Sequence, residues 1–285
     1  MKIVVLSGKG GTGKTTIAIA LSELIGNTIK IDCDVDAANM HLYYNGEIIE
    51  QRQYMGNKIS FVDKDLCTEC GKCTDYCKFD SINSGKVNSL TCEGCGVCKI
   101  VCPNDAIELK EIRNADTFII KTNNGIISKA DMDIGAEGSG KLINEIKQMA
   151  KKYTSENDIT IIDGSPGIGC PVIASITGSD IALLVIEPSK SGLSDFFRIK
   201  ELCDHFSMPV LVCINKYDMN KEISKQIEEY CKEGDINIVG RISFDDMVLE
   251  SINSFRPIVY YPDSKANKEI RFMWETIKNK LNLEG

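Results

Sequence analysis

Short, unbroken apolar runs alternate with helically spaced ones from the first residues onward. Residues 3–6 read as a buried strand, and after a glycine loop Ile17, Ala18, Ala20, Leu21, Leu24 and Ile25 recur at helical spacing. Residues 28–31 form a second strand that ends in acidic residues, and 159–162, 181–186 and 210–214 are further apolar runs separated by stretches long enough for crossover helices. Strands covered on both faces read as continuous apolar runs, so the pattern predicts an α/β fold around a mostly parallel, doubly wound sheet. In such a sheet ligands sit beyond the carboxyl ends of the strands, where the glycine loop and the acidic strand ends would meet. The last helix, 268–281, places Ile270, Met273, Trp274, Ile277 and Leu281 on one side. Its polar face mixes Lys, Arg and Glu, so it is expected to pack on the core and not to grip a membrane.

Between about residues 57 and 112 the pattern changes, with eight cysteines in short loops and little helical periodicity. This predicts a small α+β module at 57–112 inserted into a discontinuous main domain, 1–56 and 113–285. Its halves, 65–83 and 90–107, share a cysteine spacing and form an internal repeat. Segments 117–122 and 125–129 predict a hairpin around Asn123, Asn124 and Gly125 that returns the chain to the main domain.

A chain of 285 residues, 43% of them hydrophobic, can bury a sizeable core without staples. Its start lacks the pattern of a secretory signal, and no apolar run reaches the roughly 18 residues of a membrane span, so the expected compartment is the cytoplasm. Thirteen cysteines there argue for metal or redox chemistry, because reducing conditions do not maintain a disulfide framework. A net charge of -8 repels phosphate backbones and anionic lipid, so neither nucleic acid nor membrane is an expected partner. Two histidines, His41 and His205, offer little for a separate acid–base site.

Gly8, Lys9, Gly10, Gly11, Thr12, Gly13, Lys14 and Thr15 fit G-x-x-x-x-G-K-[ST], with a strand before and a helix after, which disfavours a glycine turn that binds nothing. Backbone N–H groups would wrap phosphates, the helix N-terminus adds its positive end, Lys14 neutralises the outer phosphates and Thr15 ligates magnesium. Thr16 completes the nucleotide-binding set.

The extra lysine, Lys9, makes a loop that resembles the deviant P-loop of the MinD, ParA and nitrogenase iron-protein superfamily. That resemblance implies an ATP-hydrolysing homodimer with nucleotide sandwiched at its interface, where Lys9 reaches the partner subunit's nucleotide and offsets transition-state charge. Residues 32–39, beginning Asp32, Cys33, Asp34, Val35, Asp36, look like the family's switch I, with Asp34 at the place of the water-orienting aspartate. Asp36 is a neighbouring candidate, and helix capping is the bland reading for any one of these acids. Asp163 through Gly167 resemble Walker B running into switch II, with Asp163 holding magnesium through water and the Gly167 N–H meeting the terminal phosphate. Asn215 and Lys216 match the place where family members read adenine. With Tyr217 and Asp218 they also spell the guanine pattern N-K-x-D, so ATP over GTP rests on the lineage marked by Lys9.

Cys67, Cys70, Cys73, Cys77 and Cys92, Cys95, Cys98, Cys102 are two copies of C-x-x-C-x-x-C-x-x-x-C, the bacterial ferredoxin run. The resemblance implies two [4Fe-4S] clusters with crossed fourth ligands: Cys67, Cys70, Cys73 and Cys102 for one, Cys92, Cys95, Cys98 and Cys77 for the other. Pro103 follows the second run as usual, whereas Lys78 stands there in the first. Structural zinc competes, although paired C-x-x-C would suffice for it without the additional cysteines. Cys33, Cys203, Cys213 and Cys231 read as small buried residues. Cys170 lies seven residues after Asp163, the offset of an interface cluster ligand in the nitrogenase iron protein, and Pro171 marks a helix start that would acidify a thiol. No counterpart of that cluster's second ligand exists, which leaves Cys170 a speculative interface thiol.

The resemblance is closest to MinD-superfamily ATPases with an inserted ferredoxin domain, and it implies ATP/ADP, Mg2+ and two [4Fe-4S] clusters as cofactors. The preferred expectation is ATP-gated electron transfer to a partner metalloprotein. ATP-dependent assembly or insertion of a metal cofactor is the first alternative, and a positioning switch with structural or sensory clusters is the second.

Overall fold

The computed structural model describes residues 1–136, 138–156 and 158–283. In chain order the elements are β1 (Lys2–Leu6), α1 (Lys14–Ile25), β2 (Thr28–Asp32), β3 (Gly46–Val62), α2 (Lys72–Tyr76), β4 (Ile82–Asn83), β5 (Lys86–Val87), α3 (Val97–Val101), β6 (Ile107–Thr122) and β7 (Gly125–Met132). They continue with α4 (Gly140–Lys151), β8 (Thr160–Asp163), α5 (Cys170–Ile176), β9 (Ile181–Ile186), α6 (Lys190–His205), β10 (Val210–Asn215), α7 (Lys221–Glu233), β11 (Asn237–Ile242), α8 (Asp246–Asn253) and α9 (Lys265–Leu281).

Among the described residues nine strands form one sheet in the order β11-β10-β9-β1-β8-β2-β7-β6-β3, and β4 pairs with β5 in a separate antiparallel ribbon. From β11 to β7 every neighbouring pair is parallel. The chain is therefore of the mostly parallel α/β class. β6 and β7 are neighbours joined across Asn123 and Asn124, a link short enough only for antiparallel strands.

The chain divides into two compact units, one of Met1–Gln51, Thr117–Ala130 and Gly138–Gly285, the other of Arg52–Asp116 and Asp131–Glu137. In the larger, β1 lies between β8 and β9. The path from β1 through α1 to β2 leaves on one side of β1, and the path from β8 through α5 to β9 crosses to the other. The loop after β1 thus stands at a topological switch point. β9 along its length and β1 after Lys2 are apolar and buried, as helices on both faces require. On one face Ile3 and Val5 pack with Ile17, Ala20 and Leu21 of α1 and with Ile270, Met273, Trp274 and Ile277 of α9. Burial of such side chains contributes roughly 1.5–3 kcal/mol each, and it fixes α9 as a core helix. The Ser264 hydroxyl accepts from the Asn267 N–H and starts that helix three residues before the apolar stripe alone indicates. No described helix is long and apolar enough to cross a membrane.

The smaller unit repeats itself. α2 and α3 each have five residues and begin after a left-handed glycine, Gly71 and Gly96. Its core is Cys73, Ile82, Cys98 and Ile107, with Val62, Cys77, Val87 and Cys102 packed around them.

Candidate functional site

Strand register gathers the first group of candidate residues. Asp163 pairs with Val5 of β1 on one side and with Asp32 of β2 on the other, so two acids stand level at adjacent strand ends, just before the loop that follows β1. That loop runs into α1 through Gly13, whose φ of 90° a side chain would strain and whose added Cβ would lie 2.3 Å from Asn215 Nδ2. Asn215 in turn donates from Nδ2 to the Thr12 carbonyl at 2.7 Å, which ties the end of β10 to the loop.

Lys14 is the first residue of α1 and is 5% exposed. Its Nζ lies 2.5 Å from Asp163 Oδ1 and 3.8 Å from Asp34 Oδ2, while the Thr15 hydroxyl donates to Asp163 Oδ2 at 2.6 Å. One carboxylate therefore holds both the lysine and the hydroxyl of the motif. Burial works against the Lys14 cation, but Asp163 outweighs it and keeps the amine above its ordinary value. Asp32 is fully buried, and its Oδ2 accepts the N–H groups of Asn39 and Met40 at 3.0 Å each. Burial and the adjacent Asp163 push Asp32 up to about 7. Asp34 is raised as well, by burial first and by Asp163, against the pull of Lys14. Asp36 lies outside this knot, where its Oδ1 accepts from the Gly138 N–H at 3.1 Å.

Lys9 does not reach the acids. Its Nζ donates to the hydroxyls of Ser189 and Ser191, each at 3.1 Å, and lies 3.6 Å from Glu187 Oε1. Glu187 also receives Lys216 Nζ at 2.9 Å, and Lys216 touches the Gly11 carbonyl at 3.3 Å. Partial burial alone would raise Glu187, yet its hydrogen bond and charge contact with Lys216, aided by Lys9, hold it below the usual carboxylate range. Motif reading passed over Glu187, Ser189 and Ser191. An acid right after the apolar run Ile181–Ile186 was the available signal, the same strand-end pattern that singles out Asp163.

Thr12 is 3% exposed, and its hydroxyl has no protein partner among the described residues, as a loop that binds an oxygen-rich ligand would leave it. The Gly167 N–H, expected on a terminal phosphate, donates here to the Ser7 carbonyl at 3.1 Å. Asp218 accepts the Phe244 N–H at 2.8 Å, so one oxygen of the residue behind the guanine-like pattern already serves its own backbone. Gly8, Gly10 and Gly11 lie in the loop, and Thr16 follows Thr15 in α1. Cys170 is exposed at the start of α5, far along the chain from the eight repeated cysteines.

The second group lies in the smaller unit. A small pocket is lined by Cys67, Cys70, Cys73 and Cys102 together with Gly71 and Ile107. Another is lined by Cys92, Cys95, Cys98 and Cys77 together with Ser60 and Ile82. Exposure repeats position by position: half-buried, exposed, buried and half-buried along each run. Burial disfavours the Cys77 thiolate, but N–H groups of Ser81, Phe79 and Ile82 outweigh it and hold the thiol below its ordinary value. Among the described residues no three His, Cys, Asp or Glu side chains converge closely enough for a single metal ion.

Comparison with known proteins then adds relatives. The family described as the CobQ/CobB/MinD/ParA nucleotide binding domain matches residues 3–258. An uncharacterized protein of Methanocaldococcus jannaschii is 40% identical over 224 residues, covering 77% of this chain and 79% of the relative. An iron-sulfur cluster carrier protein of Pyrococcus furiosus is 23% identical, covering 98% of this chain and 86% of its own. Among solved structures, the septum site-determining protein MinD of Pyrococcus horikoshii in complex with Mg-ADP superposes with a TM-score of 0.60 at 19% identity, covering 100% of this chain and 98% of that one. This last likeness is one of fold.

Proposed function

The chain belongs to the CobQ/CobB/MinD/ParA nucleotide-binding family, and from that premise we propose a MgATP-driven dimeric switch that gates electron transfer from two [4Fe-4S] clusters to a partner metalloprotein. The observation that carries this reading is the division of eight cysteines, four and four, around two cavities in a chain that also holds a complete P-loop. Four thiols that stand apart around one pocket suit a multi-atom cluster better than one zinc ion, whose ligands converge on a single point.

In the nucleotide site Lys14 would exchange Asp163 for the phosphates, and Thr15 with Asp163 would hold magnesium, which supplies the charge that neutralises the leaving phosphate. Asp34, half-buried and 3.8 Å from Lys14, is placed to orient a water molecule. Lys9 would leave Glu187, Ser189 and Ser191 to reach the nucleotide of a second copy. Asn215 is the base-reading candidate, held against the loop by its bond to Thr12. In the smaller unit, Cys67, Cys70, Cys73 and Cys102 would hold one cluster and Cys92, Cys95, Cys98 and Cys77 the other, each cluster storing one electron when bound. The Pyrococcus furiosus relative favours a second reading, ATP-dependent delivery of iron–sulfur clusters.

An anaerobic redox titration followed by electron paramagnetic resonance, with iron counted, tests this on the wild type and Lys14→Ala with and without MgATP. About eight irons, with potentials that shift by tens of millivolts only in ATP-competent protein, are expected. Unchanged potentials sink the coupling. Iron that passes to an apo-acceptor only in the presence of ATP selects the delivery reading.

A further inference from the structure

The two cysteine repeats agree in spacing and exposure but differ in what touches their sulfurs. The last cysteine of each run has a backbone donor: the Ser81 N–H meets Cys77 Sγ at 3.4 Å, joined by the N–H groups of Phe79 and Ile82 and the Ser81 hydroxyl, and the Ala106 N–H meets Cys102 Sγ at 3.3 Å. The Ser60 hydroxyl has no match. It lies 3.0 Å from Cys98 Sγ and 3.9 Å from Cys92 Sγ, on a residue that is 4% exposed. Among the described residues, no hydroxyl contacts the sulfurs of Cys67, Cys70, Cys73 or Cys102.

One position of the repeat accounts for the difference. Gly94 has a φ of 60°, and an added Cβ would lie 2.1 Å from the Lys58 carbonyl oxygen, so β3 passes hard against the second run. Ser60 follows Lys58 by two residues on that strand and is presented to the same face. The matching position of the first run is Glu69, also left-handed at a φ of 52°, and there a Cβ is present.

A cysteine that ligates iron is a thiolate and can only accept, so the Ser60 O–H must be the donor to Cys98. A hydrogen bond to a ligand sulfur stabilises the more negative, reduced state and raises the reduction potential. We propose that Ser60 makes the site built from Cys92, Cys95, Cys98 and Cys77 the more easily reduced of the two, so that the first electron from a low-potential one-electron donor rests there. The inference depends on the iron–sulfur reading above. The step adds one electron to the oxidised site, breaks no bond, and leaves the Ser60 proton on its oxygen.

The test uses the full chain, anaerobically reconstituted and titrated with dithionite, as wild type, Ser60→Ala and Ser60→Thr. Two one-electron steps are expected in the wild type. Ser60→Ala should move the higher step down, by up to about tenfold in the oxidised-to-reduced ratio, which is about 59 mV. The lower step should stay, and Ser60→Thr should restore the higher one. In D2O the higher-potential paramagnetic signal should carry a stronger exchangeable deuteron coupling than the lower one, and Ser60→Ala should lose the excess. Should Ser60→Ala fail to load iron, the two signals of the wild type still decide, and equal deuteron couplings at both overturn the proposal. Loaded proteins with identical potentials, or movement of the lower step alone, overturn the proposal and leave the cluster reading intact. A wild type that takes up no iron overturns both.

Discussion

At the phosphate loop the candidate side chains are held by one another and by the sheet, whereas in the cysteine unit they are themselves half of the core. Lys14, Thr15, Asp32 and Asp163 sit at the rim of strands whose apolar residues are buried regardless of any ligand. In the smaller unit Cys73 and Cys98 share one buried cluster with Ile82 and Ile107, and its helices have five residues each. A site added to a finished core can change its ligand without losing its fold. A site that is the core cannot, and below roughly 70–80 residues a metal commonly supplies what apolar burial does not.

Removal of iron by oxidation and chelation breaks this contrast most sharply. We expect the 52–116 segment to become protease-sensitive while the P-loop unit stays resistant, because in so small a unit metal binding and folding are one equilibrium. Limited proteolysis with mass mapping checks it, and equal resistance of both units before and after chelation would refute the contrast. Next in size is Lys14→Ala, for which ATP turnover should fall by about 10²–10³, or roughly 3–4 kcal/mol. It also leaves the buried Asp163 without its cation, at a cost of about 3–5 kcal/mol in stability, and calorimetry should show that loss in the P-loop transition.

A smaller effect follows from pH. Folding raises the Asp32 carboxyl, so the folded state holds that proton more tightly than the unfolded chain. Its stabilising contribution is complete below the ordinary carboxylate range and is lost as pH rises toward about 7. Asp32→Asn keeps an acceptor for Asn39 and Met40 and removes the titration. Its stability, read from melting, should therefore fall less between pH 5 and 8 than that of the wild type, by about 2–3 kcal/mol. The smallest effect belongs to Glu187→Gln. The loosened hold on the half-exposed Lys9 is worth about 0.5–1 kcal/mol, so nucleotide-dependent self-association should tighten by about two- to fivefold in sedimentation.

The sheet was legible because buried parallel strands leave unbroken apolar runs, and Asp34, Asp163 and Lys14 were legible because such strands end at a glycine loop. β3 was not. Of its residues Gly46–Val62 only Ile59 and Ser60 are buried, so no alternation marked it. α2 and α3 are too short to show a period. The attachment of Lys9 to Ser189 and Ser191 joins positions far apart in sequence through the cap of α6, where Ser189 also accepts from the Gly192 N–H. Asp32 was read as one acid among three in its segment, and only register shows it level with Asp163.

Were Gly167 to meet a terminal phosphate as proposed, its bond to the Ser7 carbonyl would set the scale of the response. A terminal phosphate can recruit that N–H only by taking it from a partner it already has. On that proposal, what would separate triphosphate from diphosphate at this position is the difference between a charge-assisted bond of about 1.5–3 kcal/mol and a neutral one of about 0.5–1.5. An exchange worth on the order of 1 kcal/mol biases the loop by a factor of about five. Such a shallow tilt lets the same loop relax as readily as it engages, which a molecule that must cycle requires.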